Sequence, residues 1–448
     1  MLCAHAAWAQ PAADTSGARA GQVLDPWPAR PTAHHFLDLR VQALYDASAI
    51  RNELVFGLWR GKDLSRELRQ RSANTHAGAA RAGYVLDAGL TYAWGERLFG
   101  HRGLRPRIMV GHHDVLGLSY GDALYNVTFF GNGDRENELA ELGPARALRI
   151  RYQTFGIGAE SRDRRSFLVL QWVNGQRLNS ADVERADLFT ATDGRYLLLG
   201  LNGRYLANDT ADGGGGLSNG GGVALSGARS FRVPWPVADT RLTIGAEHLG
   251  FLAWNKRTLQ IDRDTLLRYE GFRVDDVLDL DGTLTGTQDL QDTLGLGYAR
   301  GSRVTLLPAR FHATAECAFT SHWGLALMVE QRLLPGYLPL ARASVLTRVG
   351  TRGRIAGQVA FGGFGGWRLG LEFGTEVRPG LVVNAALPKI LPNLIKSLKN
   401  MPHNQRPPSQ MFLFSPPQES KEKYARMLKS DGRSCFFIDK TRNDARRI

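Results

Sequence analysis

Nowhere in its 448 residues does the sequence hold a run of about 18 apolar residues, the length at which a helix spans a bilayer. Helical membrane spans are therefore not expected. A membrane β-barrel stays open, because its strands alternate and score weakly on hydropathy. Cysteine is scarce: Cys3, Cys317 and Cys435 make neither a disulfide framework nor a zinc site. The glycine run "DGGGGLSNGGG" (212–222) lacks the Lys-Ser/Thr of a phosphate-binding loop and reads as a flexible connection. Acidic residues are in deficit, with a net charge of +13, yet from Leu387 to the end 13 Lys and Arg stand against 5 Asp and Glu. The excess thus sits largely in an irregular tail. No nucleic-acid fold signature accompanies it, so no nucleic-acid partner is expected.

Glycine is plentiful, at 51 residues, and clusters with Asn between short periodic runs. The start, "MLCAHAAWAQPAADTSG", offers Ala7-Trp8-Ala9 as a small-x-small cleavage site without the basic and apolar regions that precede one. Residues 1–9 are read as the remnant of a secretory signal, and 10–50 as an N-terminal extension whose Ala-, Pro- and Gly-rich part, 10–35, is loose. Residues 51–386 are read as the body, and 387–448 as a basic tail, either frame-shifted or a genuine appended segment. "KDLSRELRQR" (62–71) suits a short polar helix.

The body alternates. In "GWRLGLEFGTEVRPG", Trp367, Leu369, Leu371, Phe373, Thr375 and Val377 share one face, and Arg368, Gly370, Glu372, Gly374, Glu376 and Arg378 share the other. In "YVLDAGLTYAW", Tyr84, Leu86, Ala88, Leu90, Tyr92 and Trp94 oppose Val85, Asp87, Gly89, Thr91 and Ala93. Aromatics stand at both ends of that oily face, as they do on membrane barrels. "RFHATAECAF", "RLTIGAE" and "LALMVEQR" repeat the parity. A soluble sandwich strand also alternates. However, several runs reach the nine to eleven residues a tilted membrane strand needs, and small residues interrupt their oily faces. The expected fold is all-β: an antiparallel transmembrane β-barrel of about fourteen strands, with long loops near 174–194 and 249–309. Its oily face would touch lipid. Arg310, Glu316, Glu330, Arg368, Glu372 and Glu376 would face the lumen, since a Lys or Arg at mid-bilayer costs about 2–4 kcal/mol.

The stretches "IRNELVFGLWRGKDLSRELRQ", "YGDALYNVTFFGNG" (120–133) and "EHLGFLAWNKRTLQIDRDTLLRYEGFRVDDVLD" (247–279) carry a resemblance. Together with "LPARFHATAECAF", they make residues 36–386 resemble a family of bacterial outer-membrane β-barrels of unknown function, similar in style to the barrels that accompany type IX secretion and gliding. There, a "D-L-G-F-I-x-W" strand end precedes a "Y-x-G-I-x-V" segment. Leu249, Gly250, Phe251 and Trp254 match the first, and Tyr269, Gly271 and Val274 the second, with His248 where an acid is usual. The resemblance implies a closing strand with a terminal aromatic, which the Pro- and Lys-rich tail lacks. It implies no activity.

Chemistry-bearing motifs are few. "VLDLDGTLTG" matches the D-x-D-G-T of haloacid-dehalogenase-type phosphatases, with Asp279 as nucleophile and Asp281 as acid/base. The charged run before it is not the buried parallel strand that motif follows. As a calcium loop, Asp275, Asp276, Asp279 and Asp281 lack the Gly and Glu of the twelve-residue pattern. In "GHHD", His112 and His113 fall on opposite faces of a strand. His248, His312 and His322 select no nucleophile or acid by spacing. The expectation is a non-enzymatic barrel without metal or cofactor, acting as a pore, transporter or secretion accessory. Its partners would be outer-membrane lipid, envelope or secretion proteins, and small solutes if the lumen is open. The alternative is an outer-membrane enzyme acting on lipid or envelope polymer; a soluble phosphatase is more remote.

Overall fold

Strict alternation builds a cylinder wall, and the Trp367 strand shows how. Trp367, Leu369, Leu371, Phe373 and Val377 are all exposed on its outside, while Arg368 is buried. From Trp367 to Val377 the chain climbs about 25 Å along the cylinder axis, at ~3.3 Å per residue and a tilt of ~40°. That matches the apolar band of a membrane barrel, which is about 25 Å tall.

The computed structural model describes residues 35–387 apart from 60–63, 77, 96, 102, 163–164, 209–217, 235–238, 270–298, 351–352 and 379–380. Its strands are β1 (His35–Ala47), β2 (Ala80–Trp94), β3 (Leu104–Tyr120), β4 (Leu139–Glu141), β5 (Ala145–Ser161), β6 (Phe167–Thr190), β7 (Leu197–Asn208), β8 (Gly220–Val233) and β9 (Asp239–Trp254). They continue with β10 (Thr258–Tyr269), β11 (Ala299–Arg300), β12 (Arg303–Leu306), β13 (Arg310–Ala318), β14 (Trp323–Arg332), β15 (Leu338–Val349), β16 (Gly353–Gly363), β17 (Arg368–Arg378) and β18 (Leu381–Leu387). The helices are α1 (Asn52–Trp59), α2 (Arg66–Ala73) and α3 (Asp122–Phe130).

Thirteen strands close the barrel: β1, β2, β3, β5, β6, β8, β9 and β13 to β18, with β18 returning to β1. Wall neighbours pair antiparallel except at this seam, where β1 and β18 run parallel, Leu37 beside Leu381 and Gln42 beside Ala386. The expected all-antiparallel order is corrected here. With an odd count, the last strand must run in the same direction as the first, and only a parallel pair can leave no open edge. The first wall strand, β1, lies in the second half of the 10–50 extension, beginning where the part read as loose ends. Its outward Leu39 pairs with Leu90 and its buried Leu44 with Val85.

Two further expectations give way. The stretch 174–194 is not a loop: β6 runs past its wall partner β8 and pairs with β7, and β7 pairs with β10 along its whole length. Within 249–309, β9 continues to Trp254, and β10, β11 and β12 follow. This sheet stands beyond the wall, and one of its faces carries Leu188, Leu199 and Leu267 side by side. The same end of the barrel holds the helices. Ser65 caps α2, its Oγ accepting from the Leu68 N–H at 3.3 Å, and His76 packs on Tyr125 at 4.2 Å between ring centroids. Short turns join the strands at the opposite end. Among the described residues, no helix is long and apolar enough to cross a membrane.

The helical end of the lumen is filled. Leu44, Val85, Val115, Ile150, Val173, Leu178, Leu252 and Trp254 form one buried cluster with Leu334, Tyr337 and Phe364. The last three come from turns at the helical end that fold inward over the opening. Gly83 makes room for this plug, since a Cβ there would overlap the Phe364 ring. Gly83→Val should therefore cost about 1–3 kcal/mol by overpacking. The urea midpoint of the detergent-folded protein would show it, with partial recovery in Gly83→Val/Phe364→Leu.

Candidate functional site

Below the apolar plug lies a charged layer, and a backbone defect in β9 helps to build it. Between Ala246 and Leu249 the register to β8 slips by one residue, and His248 takes φ 58°, in the left-handed region. The His248 N–H donates to Ser226 Oγ at 2.9 Å. Such a bulge places two successive side chains on one face and inverts the parity beyond it. Glu247 and His248 both turn inward; Leu249 and Phe251 then face out, while Leu252 and Trp254 face in.

These groups meet partners from across the cylinder. Glu330, which is 3 % exposed, accepts from Arg310 Nε (2.8 Å), Arg332 Nε (2.8 Å) and Tyr337 Oη (2.7 Å). Arg310 also donates to Glu247 Oε2 at 3.1 Å. Arg332, on β14, reaches Asp87 Oδ2 on β2 at 3.4 Å. Those strands are not neighbours in the wall, so this ion pair crosses the lumen. Asp87 Oδ1 also accepts from His113 Nδ1 at 2.9 Å. The His113 ring stacks on Tyr152 at 4.7 Å and meets His248, from the far wall, at 4.5 Å.

Nearer the short turns, Glu160 pairs with Arg105 and with Arg107 (2.9 Å). Arg165, from the β5–β6 turn, reaches Glu316 at 2.8 Å. In a low-dielectric interior each carboxylate needs such a partner, since an unpaired buried charge is expensive.

The residues assigned to the lumen fall as follows. Arg310 and Glu330 join the central layer. Arg368 pairs with Asp46 at 2.7 Å, both buried. Glu316 meets Arg165, Glu372 accepts from Arg354 at 3.0 Å, and Glu376 lies half-buried on β17. Asp87, His113, Tyr152, Glu247 and Arg332 belong to the same layer but were not singled out. Their signal was the non-oily parity of Asp87, Glu247 and Arg332, and for His113 the opposition to His112. Asp275, Asp276, Asp279 and Asp281 lie outside the described residues, as do Cys3 and Cys435. Among the described residues there is no parallel α/β sheet of the kind the phosphatase motif follows.

Of the other histidines, His322 meets Ser321 Oγ at 2.9 Å on an exposed turn, and the Nδ1 of His312 is buried without a partner. One nucleophile-like order does occur: Thr154 Oγ1 lies 3.4 Å from His113 Nε2, whose Nδ1 is held by Asp87. Thr154 is 2 % exposed, however, and so closed to a substrate.

Not all charge is inside. Asp114, Arg149 and Arg151 alternate with the buried Val115 and Ile150 and so face outward, where Tyr84 Oη donates to Asp114 at 2.8 Å. In the sheet beyond the wall, hydrogen bonding from Arg204 lowers the Asp262 carboxyl below its ordinary range.

No curated protein matches the chain. Residues 230–386, which hold the end of β8 and the wall strands from β9 to β18, match the model of a family of unknown function (DUF5723).

Proposed function

We propose that the chain is a non-enzymatic outer-membrane β-barrel that acts as a closed scaffold or secretion accessory rather than an open pore. The observation that carries this reading is the obstructed lumen. The Arg332–Asp87 pair and the His113–His248 contact cross it, beneath an apolar plug of in-folded turns. The exposed oily exterior supports the membrane placement, because a row of side chains such as Val110, Phe155, Trp172, Val223 and Phe251 is stable against hydrocarbon and costly against water. The resemblance to barrels that accompany type IX secretion suggests envelope proteins as partners.

In planar bilayers the purified full chain should insert and give no steady single-channel conductance. A persistent ohmic current would overturn the closed reading.

The enzymatic alternative has one observation in its favour, the Thr154–His113–Asp87 order. A fluorophosphonate probe should leave the protein unlabelled. Labelling abolished by Thr154→Ala would establish a hydrolase instead.

A further inference from the structure

We infer that the outward cluster of Arg149, Arg151, Arg177 and Asp114 is a binding site for the phosphate of an anionic membrane lipid. The inference rests on the membrane placement proposed above.

On this side the row of exposed apolar side chains gives way to polar ones, with the half-buried Leu116 and Leu118 facing outward higher on β3. Val110, Phe155 and Trp172 lie side by side in register, all exposed. One outward position further toward the helical end, the row reads His112, Gln153 and Asn174, with Asn174 Nδ2 donating to Gln153 Oε1 at 3.2 Å. One position beyond that stand Asp114, Arg151 and Arg177, in register with one another.

Four residues separate Asp114 from Val110. This is about 13 Å along the strand and about 10 Å along the axis at a tilt of ~40°. Headgroups occupy the first ~5–8 Å outside the hydrocarbon. Arginine side chains reach back toward that level while keeping their stems on the wall.

The site is built rather than loose. The Asp114 side chain is 6 % exposed. It accepts from Tyr84 Oη, from Arg151 Nε (2.8 Å) and Nη2 (2.5 Å), and from Arg149 Nη2 at 3.4 Å. One carboxylate thus orients two guanidiniums, and a third stands beside them. Three positive charges against one leave an excess of two, at the depth where lipid phosphates lie. Guanidinium forks suit phosphate oxygens in geometry and charge. Asp114 holds Arg149 and Arg151 against the wall and competes with the lipid phosphate for both guanidiniums.

The test uses the detergent-folded full chain, titrated with phosphatidylglycerol, phosphatidylcholine or inorganic phosphate and read by native mass spectrometry as the apparent Kd of the first bound lipid. Phosphatidylglycerol should bind ahead of phosphatidylcholine. Inorganic phosphate at equal concentration should not displace it. Arg149→Gln/Arg177→Gln should weaken phosphatidylglycerol about five-fold per guanidinium removed, roughly 25-fold for the pair. Asp114→Asn, which releases two guanidiniums from their carboxylate, should tighten it. That opposite sign separates a binding role from simple damage to the fold.

Equal retention of the two lipids, an unchanged Kd in the double variant, or full displacement by inorganic phosphate would each overturn the site. Failure of the membrane reading looks different: the chain would stay soluble without detergent and retain neither lipid.

Discussion

Arg332→Ala should destabilise the folded barrel by about 3–5 kcal/mol, the usual consequence of removing one partner from a buried ion pair. The loss has two sources. Asp87 would keep only His113, and Glu330 would keep Arg310 and Tyr337 but lose its second guanidinium. Glu330, 3 % exposed, would then be short of a donor in a closed layer, whereas the Asp87 side chain, 25 % exposed, would recover part of its loss from solvent. Equilibrium unfolding in urea, followed by the shift between folded and unfolded bands on unheated gels, measures the change. Asp87→Asn should recover part of it in the Arg332→Ala background, because an amide needs no counter-charge. A double-mutant cycle would report that coupling directly. A midpoint unmoved by Arg332→Ala would mean that water reaches this layer, and the closed lumen would have to be abandoned.

Leu327→Arg should be nearly as damaging, for the opposite reason. Leu327 sits in the middle of β14 on the outer face and is 51 % exposed. On a soluble protein such a change falls within about ±0.5 kcal/mol. Against the middle of a bilayer it costs about 2–4 kcal/mol. Folding yield into liposomes should fall accordingly, and Leu371→Arg on β17 should behave alike. Tyr205→Arg, on β7 beyond the closed wall, serves as the control and should fold into liposomes as the parent does. A Leu327→Arg protein that is as stable as the parent and needs no detergent would place this barrel in water.

How much was legible in the sequence follows from where the side-chain period of two holds. On β17 it holds without interruption, so oily and charged residues separate cleanly and the two faces can be assigned from the letters alone. On β9 the insertion at Glu247–His248 inverts the period. Reading straight through would send Phe251 and Trp254 to the wrong sides. The sole hint was His248 itself, a polar residue at the join between two apolar runs.

Cross-lumen pairing was not legible at all. Nothing local links Asp87 with Arg332, or His113 with His248; barrel closure alone brings them together. The plug was missed for a related reason. Leu334, Tyr337 and Phe364 sit in turns, where apolar residues are easily taken for incidental ones, although apolar residues in a turn are a sign that it folds inward. The sheet beyond the wall is hard to read from the letters because Leu197, Leu198 and Leu199 run on without alternating, and β10 puts charge on both faces, Asp262 and Asp264 on one and Arg263 on the other.

The parallel seam between β1 and β18 has a topological consequence. Both strands run toward the helical mouth, so the polypeptide enters the cylinder at the short-turn mouth ahead of His35 and leaves at the other after Leu387. An even-stranded cylinder returns its two ends to the same side. This one places His35 and Leu387 at opposite mouths, which in the membrane reading proposed above would open to different aqueous phases.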